Sequence, residues 1–492
     1  MGDENVAVIV GIGEVADRPA DVAAAIDPAG LMAAALRLAE RDAGVSIITA
    51  LDRLDIVNEI SWPYPDPLAE VRHRIDRPNV AARYYPVGGQ TPLFAIHEAA
   101  LAIQAGEATV AAVVGGEAED SVRHARRSGE PLPWPPMDHD HRPIRGGDHQ
   151  NAVARALELT SPVNVYPLYE NATRAAWGQR IDEAEEESAA VWARNAQVAR
   201  LRPTAWIKRP VSTADILSPG QGNRLIAWPY RKLMVANPIV NQGAAVVITS
   251  LAYARKAGIA DDRLVYIHGG SAADEPRDIL ARRTYSASAA MEAVLSDVTL
   301  LAPSVVDTVE LYSCFPCVPK MARRLLGLPA DHTTSVAGGL TFFGAPLNNY
   351  MTHAAVAMVE RIRAGTPFGM LYGQGEYVTK HHALLLGRAQ PDEPLRQDYR
   401  HIELERALTE AAPTLNQRYR GPVQLETYTI LYDRDEQVRH GIAIARTPTN
   451  ARVAAKIDAA DEGTLDALRG GNPIGRRGLI QDGSDVVPHF VL

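Results

Sequence analysis

Cys314 and Cys317 stand in the run Tyr312-Ser313-Cys314-Phe315-Pro316-Cys317 and are the two cysteines of the 492-residue chain. A C-x-x-C spacing can ligate zinc or cycle between dithiol and disulfide. Zinc needs two more ligands at matching spacing, and no second pair stands in the sequence. The redox reading wants a strand before the pair and a helix opening on it, where the dipole lowers a thiol pKa. The patterns of 309–312 and 320–326 meet that in part. The other reading is a pair of buried, unreactive thiols in a reducing compartment. His381 and His382 follow Lys380. Imidazole titrates near neutrality and suits a general base; a backbone-bonded histidine at a strand start is the alternative. Asp138-His139-Asp140-His141, with Asp148 and His149, carries ligand types for a hard or borderline metal. It lies in a Pro-rich loop where charge is expected in any case, and no metal site is expected.

These residues need a scaffold, and the composition supplies one. Hydrophobic residues make up 46% and charged residues 22%, the balance of a folded chain. The length calls for two or three domains. A net charge of -9 with scattered Lys and Arg excludes a nucleic-acid footprint. The densest basic run, Arg123 to Arg127 with His124, reads as a solvated face. No window approaches the ~18–20 apolar residues of a membrane span. Met1-Gly2-Asp3-Glu4 is acidic and the apolar run 6–10 is too short for a signal core, so a cytoplasmic location is expected.

Apolar β-type runs at 6–10, 54–57, 110–114 and 245–249 alternate with helical patterns, which predicts α/β with a mostly parallel sheet. Asp27-Pro28 is a helix start, with Asp as N-cap and Pro in the first turn. Gly11-Ile12-Gly13 is not a dinucleotide fingerprint, since Ala16 stands where the third glycine belongs. From 119 to 228 prolines cluster and a long helix, 181–201, appears, as in an insertion. A weak repeat links the two sides of it. Gly88-Gly89, helix, Gly106, strand and Gly115-Gly116-Glu117 are matched by Gly338-Gly339, a helix over 350–362, Gly365, strand 368–372 and Gly373-Gln374-Gly375-Glu376. From 389 the chain predicts a β-rich domain, with strands at 423–432, 441–446, 452–456, 473–481 and 485–491 and a helix over 462–469.

The stretch VGGQTPLFAIHEAALAIQAGEATVAAVVGGEAEDS, from Val87 to Ser121, resembles the block of the thiolase superfamily that carries the nucleophilic cysteine. The resemblance covers about 5–388. It implies a duplicated βαβαβαββ, five-layered αβαβα fold with an inserted loop domain. The halves would be 1–118 with 229–262, and 263–388, the loop domain 119–228, and 389–492 an added OB-like or split βαβ domain. The family's C-x-S-G-x-x-A motif is matched by Gly89-Gln90-Thr91-Pro92-Leu93-Phe94-Ala95. Its N-E-A-F or H-D-C-F motif is similar to Tyr312-Ser313-Cys314-Phe315, its G-H-P to Gly344-Ala345-Pro346 and its C-x-G to Gly373-Gln374-Gly375. Both family cysteines and the histidine are therefore replaced, by Gly89, Gly373 and Ala345.

Thiolysis needs an activated thiolate with a base beside it, and neither Gly89 nor Ala345 supplies one. What the resemblance retains is backbone: the N–H groups of Gly89 and Gly375 would form an oxyanion hole for a thioester carbonyl. Tyr312, Cys314 and His381 are the side chains to which chemistry would fall. The implied function is that of a thiolase-like protein, nominally an acetyl-CoA acetyltransferase of lipid metabolism. It would bind acyl-CoA or a related thioester with little or no thiolytic activity. No cofactor is expected beyond that CoA thioester. The alternatives are a retro-aldolase for β-hydroxyacyl-CoA using Tyr312 and Tyr350, and a non-catalytic scaffold. No nucleic-acid or membrane partner is expected, and a homodimer or a monomer is left open.

Overall fold

Strand β1 (Ala7–Ala16) runs well past the apolar run 6–10, because two glycines inside it admit helix α1 (Pro28–Ala43). A Cβ at Gly11 or Gly13 would overlap the carbonyls of Ala39 and Ala35, so these glycines extend a strand where the sequence suggested its end. Helix α1 begins as its caps predict. Asp27 accepts the Gly30 N–H at 3.0 Å, Pro28 sits in the first turn, and Gly44 closes the helix at φ +76°. The computed structural model describes residues 5–220, 222–483 and 487–492. Met1-Gly2-Asp3-Glu4 and the first residues of the run 485–491 lie outside the described residues.

The remaining strands of the first half are β2 (Arg53–Ile56), β3 (Ala81–Tyr84) and β4 (Val110–Ala118). The insertion contributes β5 (Leu225–Ala227) and β6 (Tyr230–Arg231), and β7 (Asn241–Ser250) returns to the first half. The second half has β8 (Val265–Asp274), β9 (Val309–Leu311), β10 (Phe368–Gly375) and β11 (Lys380–Gly387). The C-terminal part has β12 (Gly421–Tyr432), β13 (Val438–Arg446), β14 (Arg452–Ile457), β15 (Arg477–Gln481) and β16 (His489–Val491). Helices α2 (Thr91–Gln104) and α3 (Glu119–Ser128) follow α1, and α4 (Pro162–Ala176) and α5 (Ile181–Leu201) fill the insertion. The second half carries α6 (Ala289–Leu300), α7 (Cys317–Leu325) and α8 (Tyr350–Arg363), and the C-terminal part α9 (Ile402–Glu410) and α10 (Glu462–Arg469).

The first sheet has the order β3-β2-β4-β7-β1-β8-β11-β10-β9. Its two sides repeat one another. β2, β4, β7 and β1 are matched by β9, β10, β11 and β8, with the same parallel and antiparallel pairings, and β1 meets β8 at the join. Among the described residues β3 has no counterpart. Helices α2 and α8 touch one another and both sides of the sheet, so they form the central layer; α1 covers one outer face and α6 the other. The apolar helix after the glycine turn thus serves both halves as buried filling, as its all-round hydrophobic sequence requires. The sequence Asn241-Gln242-Gly243 is the start of β7. Asn241 caps α3, accepting the Ser121 N–H at 3.1 Å and donating to its hydroxyl at 2.8 Å.

The C-terminal part is a closed barrel. β12 pairs β13, β13 pairs β14, β14 pairs β16 in parallel, β16 pairs β15, and β15 returns to β12. With α10 between the third and fourth strands, this is the OB-like arrangement. The first barrel strand begins at Gly421; before it, α9 packs on β8 of the main body, and residues 414–417 already bond β14 at Arg452 and Ala454. Strand β5 of the insertion pairs β12 and carries β6 with it, extending the barrel sheet outward. Among the described residues no helix is long and apolar enough to cross a membrane.

Candidate functional site

Tyr312 follows β9 at its carboxyl end, the edge of an α/β sheet where crevices form. Its N–H bonds the Tyr372 carbonyl at 3.0 Å, which carries the ladder one residue further and fixes the ring's direction. The ring points across the molecule to the start of α2. A Cβ at Gly89 would overlap the Tyr312 hydroxyl, with Tyr312 Cζ at 2.6 Å and the Gln374 carbonyl oxygen at 2.5 Å. The phenol therefore fills the place a side chain at position 89 would take. Among the described residues its hydroxyl has no hydrogen-bond partner, and burial, with Cys314 beside it, pushes its pKa up. At neutral pH Tyr312 is a neutral O–H, a donor and not a base.

Tyr312 and Cys314 line one cleft of about 630 Å³, with Tyr166, Phe315, Ala345, Gln374 and Glu376. Tyr166 descends from α4 and stacks on Phe315 with ring centroids 4.4 Å apart, a contact worth about 0.5–1.5 kcal/mol beyond area burial. Its hydroxyl donates to the Glu376 carbonyl at 2.7 Å and accepts the Gln374 amide at 2.6 Å. The same amide donates to Cys314 Sγ at 3.2 Å, and Gln374 Oε1 accepts the Val378 N–H at 3.0 Å. Burial pushes the Cys314 thiol up to about 12, so it is a protonated thiol at neutral pH. Cys317 is fully buried and its thiol is pushed up as well, again by burial. The C-x-x-C pair, although it leads into α7, lacks the lowered pKa that redox cycling uses.

The turn closing the cleft floor is strained. Glu376 and Val378 sit at φ +58° and +59°, a region costly for a β-branched residue. Arg277 donates to the Glu376 carboxylate at 2.8 Å and Tyr169 to the Tyr377 carbonyl at 2.5 Å. Burial alone would raise the Glu376 pKa, but Arg277 and Lys380 outweigh it and hold the carboxyl below its usual range.

The structure does not bring His381 into the cleft. Its imidazole lies behind the turn, 2.7 Å from the Tyr372 hydroxyl and 3.2 Å from the Val378 carbonyl, and burial pushes it down to about 4. His382 faces His97 of α2 at 3.1 Å. Gly89 and Gly375 are also outside the cleft lining. Gly89 is covered by Tyr312, and the Gln90 side chain overlaps the position a Cβ at Gly375 would take. Tyr350 is fully buried, its hydroxyl donating to Glu310 at 2.7 Å and accepting the Gly339 N–H at 3.0 Å. Among the described residues no three His, Cys, Asp or Glu side chains are grouped to hold a metal; Asp138 Oδ1 instead accepts the N–H groups of Asp140 and His141.

The chain resembles a monomeric SCP2-thiolase-like protein type 1 from Mycobacterium smegmatis over the whole of both chains, with TM-score 0.84 and 26% identity. The fold is that of the thiolase superfamily. The dimeric peroxisomal thiolase of Saccharomyces cerevisiae matches 78% of this chain and 98% of its own, with TM-score 0.57 and 12% identity. An Ltp2-ChsH2(DUF35) aldolase matches the same shares with TM-score 0.59 and 17% identity. Residues 404–484 match the family described as thiolase-like protein type 1 additional C-terminal domain. No curated protein sequence matches the chain.

Set on the thiolase fold, the cleft contains Ala345 and Tyr312 but neither Gly89 nor Gly373. Sequence reasoning missed the roof, Tyr166, and the bridging amide, Gln374, because each acts through a partner far along the chain. Arg123–Arg127 is the solvated face expected, with His124, Arg126 and Arg127 exposed. In the thiolase-fold structure Arg123, His124 and Arg127 line a groove of about 420 Å³ that shares Arg123 and Ile239 with the main cleft. The signal was present in their spacing, since Arg123 and Arg127, four apart, share one side of a helix.

Proposed function

We propose that the cleft binds an acyl-CoA or related thioester and that the protein performs little or no thiolysis. One observation carries this reading. The Tyr312 phenol occupies the place of a side chain at position 89, so the cleft offers a hydrogen-bond donor where a thiolase has its nucleophile. The mostly apolar cleft suits an acyl or pantetheine chain. The contiguous groove with Arg123, His124 and Arg127 suits the phosphates at the other end of CoA. Tyr312 would donate to the thioester carbonyl in place of the backbone pair Gly89 and Gly375, and Cys314 would line the pocket as a neutral thiol. The test is thermal stability against free CoA, short acyl-CoAs and longer β-hydroxyacyl-CoAs. A ligand at 100 times its Kd stabilises by about 2.7 kcal/mol. Absence of any shift would remove this reading, and normal acetoacetyl-CoA thiolysis would overturn its second half.

A retro-aldol reading is favoured by one feature, the unspent Tyr312 hydroxyl, which could steady an enolate oxygen. Here Tyr312 would act without Tyr350, whose hydroxyl is committed to Glu310 and Gly339. Release of a ketone or aldehyde from a β-hydroxyacyl-CoA, lost in Tyr312→Phe, would establish it.

A further inference from the structure

Arg224 and Ile226 line the main cleft, yet they sit on a segment that belongs to the barrel. Side chains alternate along a strand: Leu225, between them, packs against the barrel core. The backbone is held from the same side. The Leu225 N–H donates to Glu436 Oε2 at 3.1 Å, Arg224 Nη1 to the Asp433 carbonyl at 3.0 Å, and the Trp228 N–H to the Ile430 carbonyl at 2.9 Å. The Thr429 hydroxyl donates to the Trp228 carbonyl at 3.2 Å, and Ala227 pairs Leu431 in the ladder. The β12–β13 turn that supplies Asp433 and Glu436 is itself closed by Asp433, whose Oδ1 accepts the N–H groups of Asp435 and Gln437 at 2.8 and 2.9 Å.

We infer that the C-terminal barrel braces one wall of the cleft, with Glu436 and Thr429 as positioning residues that set where Arg224 and Ile226 stand. The barrel is then not an appendage to a finished pocket. Without the barrel, the strand 225–227 keeps the two-residue β6 as its one strand partner among the described residues, with α4 packed against it. The geometry of the wall stands independently of the ligand; that the ligand is a thioester rests on the function proposed above.

The two cysteines provide a readout that needs no ligand. Cys314 faces the cleft at 7% exposure, and Cys317 is fully buried. Iodoacetamide labelling of the full-length protein, followed by mass spectrometry, should modify Cys314 slowly and Cys317 not at all. Glu436→Ala frees the Leu225 amide, and Thr429→Val leaves the Trp228 carbonyl only the longer bond from Asn171 Nδ2 at 3.4 Å. Each should raise the Cys314 rate several-fold with Cys317 still untouched. Glu436→Gln keeps an acceptor oxygen and should label at the wild-type rate. Unchanged Cys314 rates in both Glu436→Ala and Thr429→Val would overturn the inference. So would equal acceleration at both cysteines, which marks loss of the fold and not movement of a wall. Protection of wild-type Cys314 by an acyl-CoA tests the ligand separately: no protection, with faster labelling in the variants, keeps the wall and discards the thioester.

Discussion

The Tyr312 hydroxyl and the α-carbon of Gly89 face each other with no room between them for a side chain. They come from the two repeated halves, so the loss on one side is matched by a bulky group on the other. A single reverse substitution cannot undo that.

Gly89→Cys should therefore destabilise the protein by about 1–3 kcal/mol through overpacking and give no acetoacetyl-CoA thiolysis. Combining it with Tyr312→Ala should recover only part of the stability, because the Gln374 carbonyl oxygen still stands 2.5 Å from the new Cβ, and should give no turnover, since Ala345 offers no base. Urea denaturation and a thiolysis assay read both effects, and turnover in Gly89→Cys alone would show that the phenol moves aside readily.

Tyr312→Phe removes a cleft-facing hydroxyl that has no protein hydrogen bond among the described residues, so stability should stay about level. If the hydroxyl meets a thioester carbonyl, affinity for acyl-CoA should fall by about 0.5–1.5 kcal/mol, the net worth of one hydrogen bond. Calorimetric titration decides; equal affinity would place the carbonyl elsewhere.

Arg127→Ala should weaken acyl-CoA binding about two- to fivefold, the scale of an exposed ion pair, and the effect should shrink at high salt. Binding of an acyl-pantetheine, which lacks the nucleotide phosphates, should be unaffected. An equal loss for both ligands would mean that the groove on α3 holds something other than phosphate.

Stability should pass through a maximum with pH. His97, His381 and His382 are buried and neutral, with pKa values pushed below the usual 6.5 by burial. The unfolded chain takes up more protons there, so stability falls as pH drops below 6.5. Glu117 opposes them. Burial raises its pKa, so the folded state holds the extra proton and stability falls as pH rises above the usual carboxylate range. Urea midpoints from pH 5 to 9 should show both arms. A steady rise to pH 9 would remove the Glu117 contribution, and a steady fall from pH 5 would remove that of the histidines.

Local chemistry made much of the fold legible. Asp27, Pro28 and Gly44 bracket α1, the helix expected over 181–201 is α5, and the paired glycine–helix–glycine–strand runs are the two halves of the sheet. What could not be read depends on approach between distant segments. Gly11 and Gly13 looked like a strand end because nothing local says that α1 lies against them. The sequence could not show that the Tyr312 and Gln90 side chains stand where Cβ atoms at Gly89 and Gly375 would lie. The cleft wall was hidden for the same reason, since Arg224 and Ile226 are oriented by Glu436 and Thr429.

The pairing of Ala227 with Leu431 also imposes an order in time. Strand β5 leaves the ribosome about two hundred residues ahead of β12, an interval of roughly ten to forty seconds at ~5–20 residues per second. During that interval the main body can condense, but one side of its cleft has nothing to lean on. A nascent chain stalled before residue 421 would be a nearly complete thiolase fold with an open flank, and residues 421–492 would bring the pocket to its final shape.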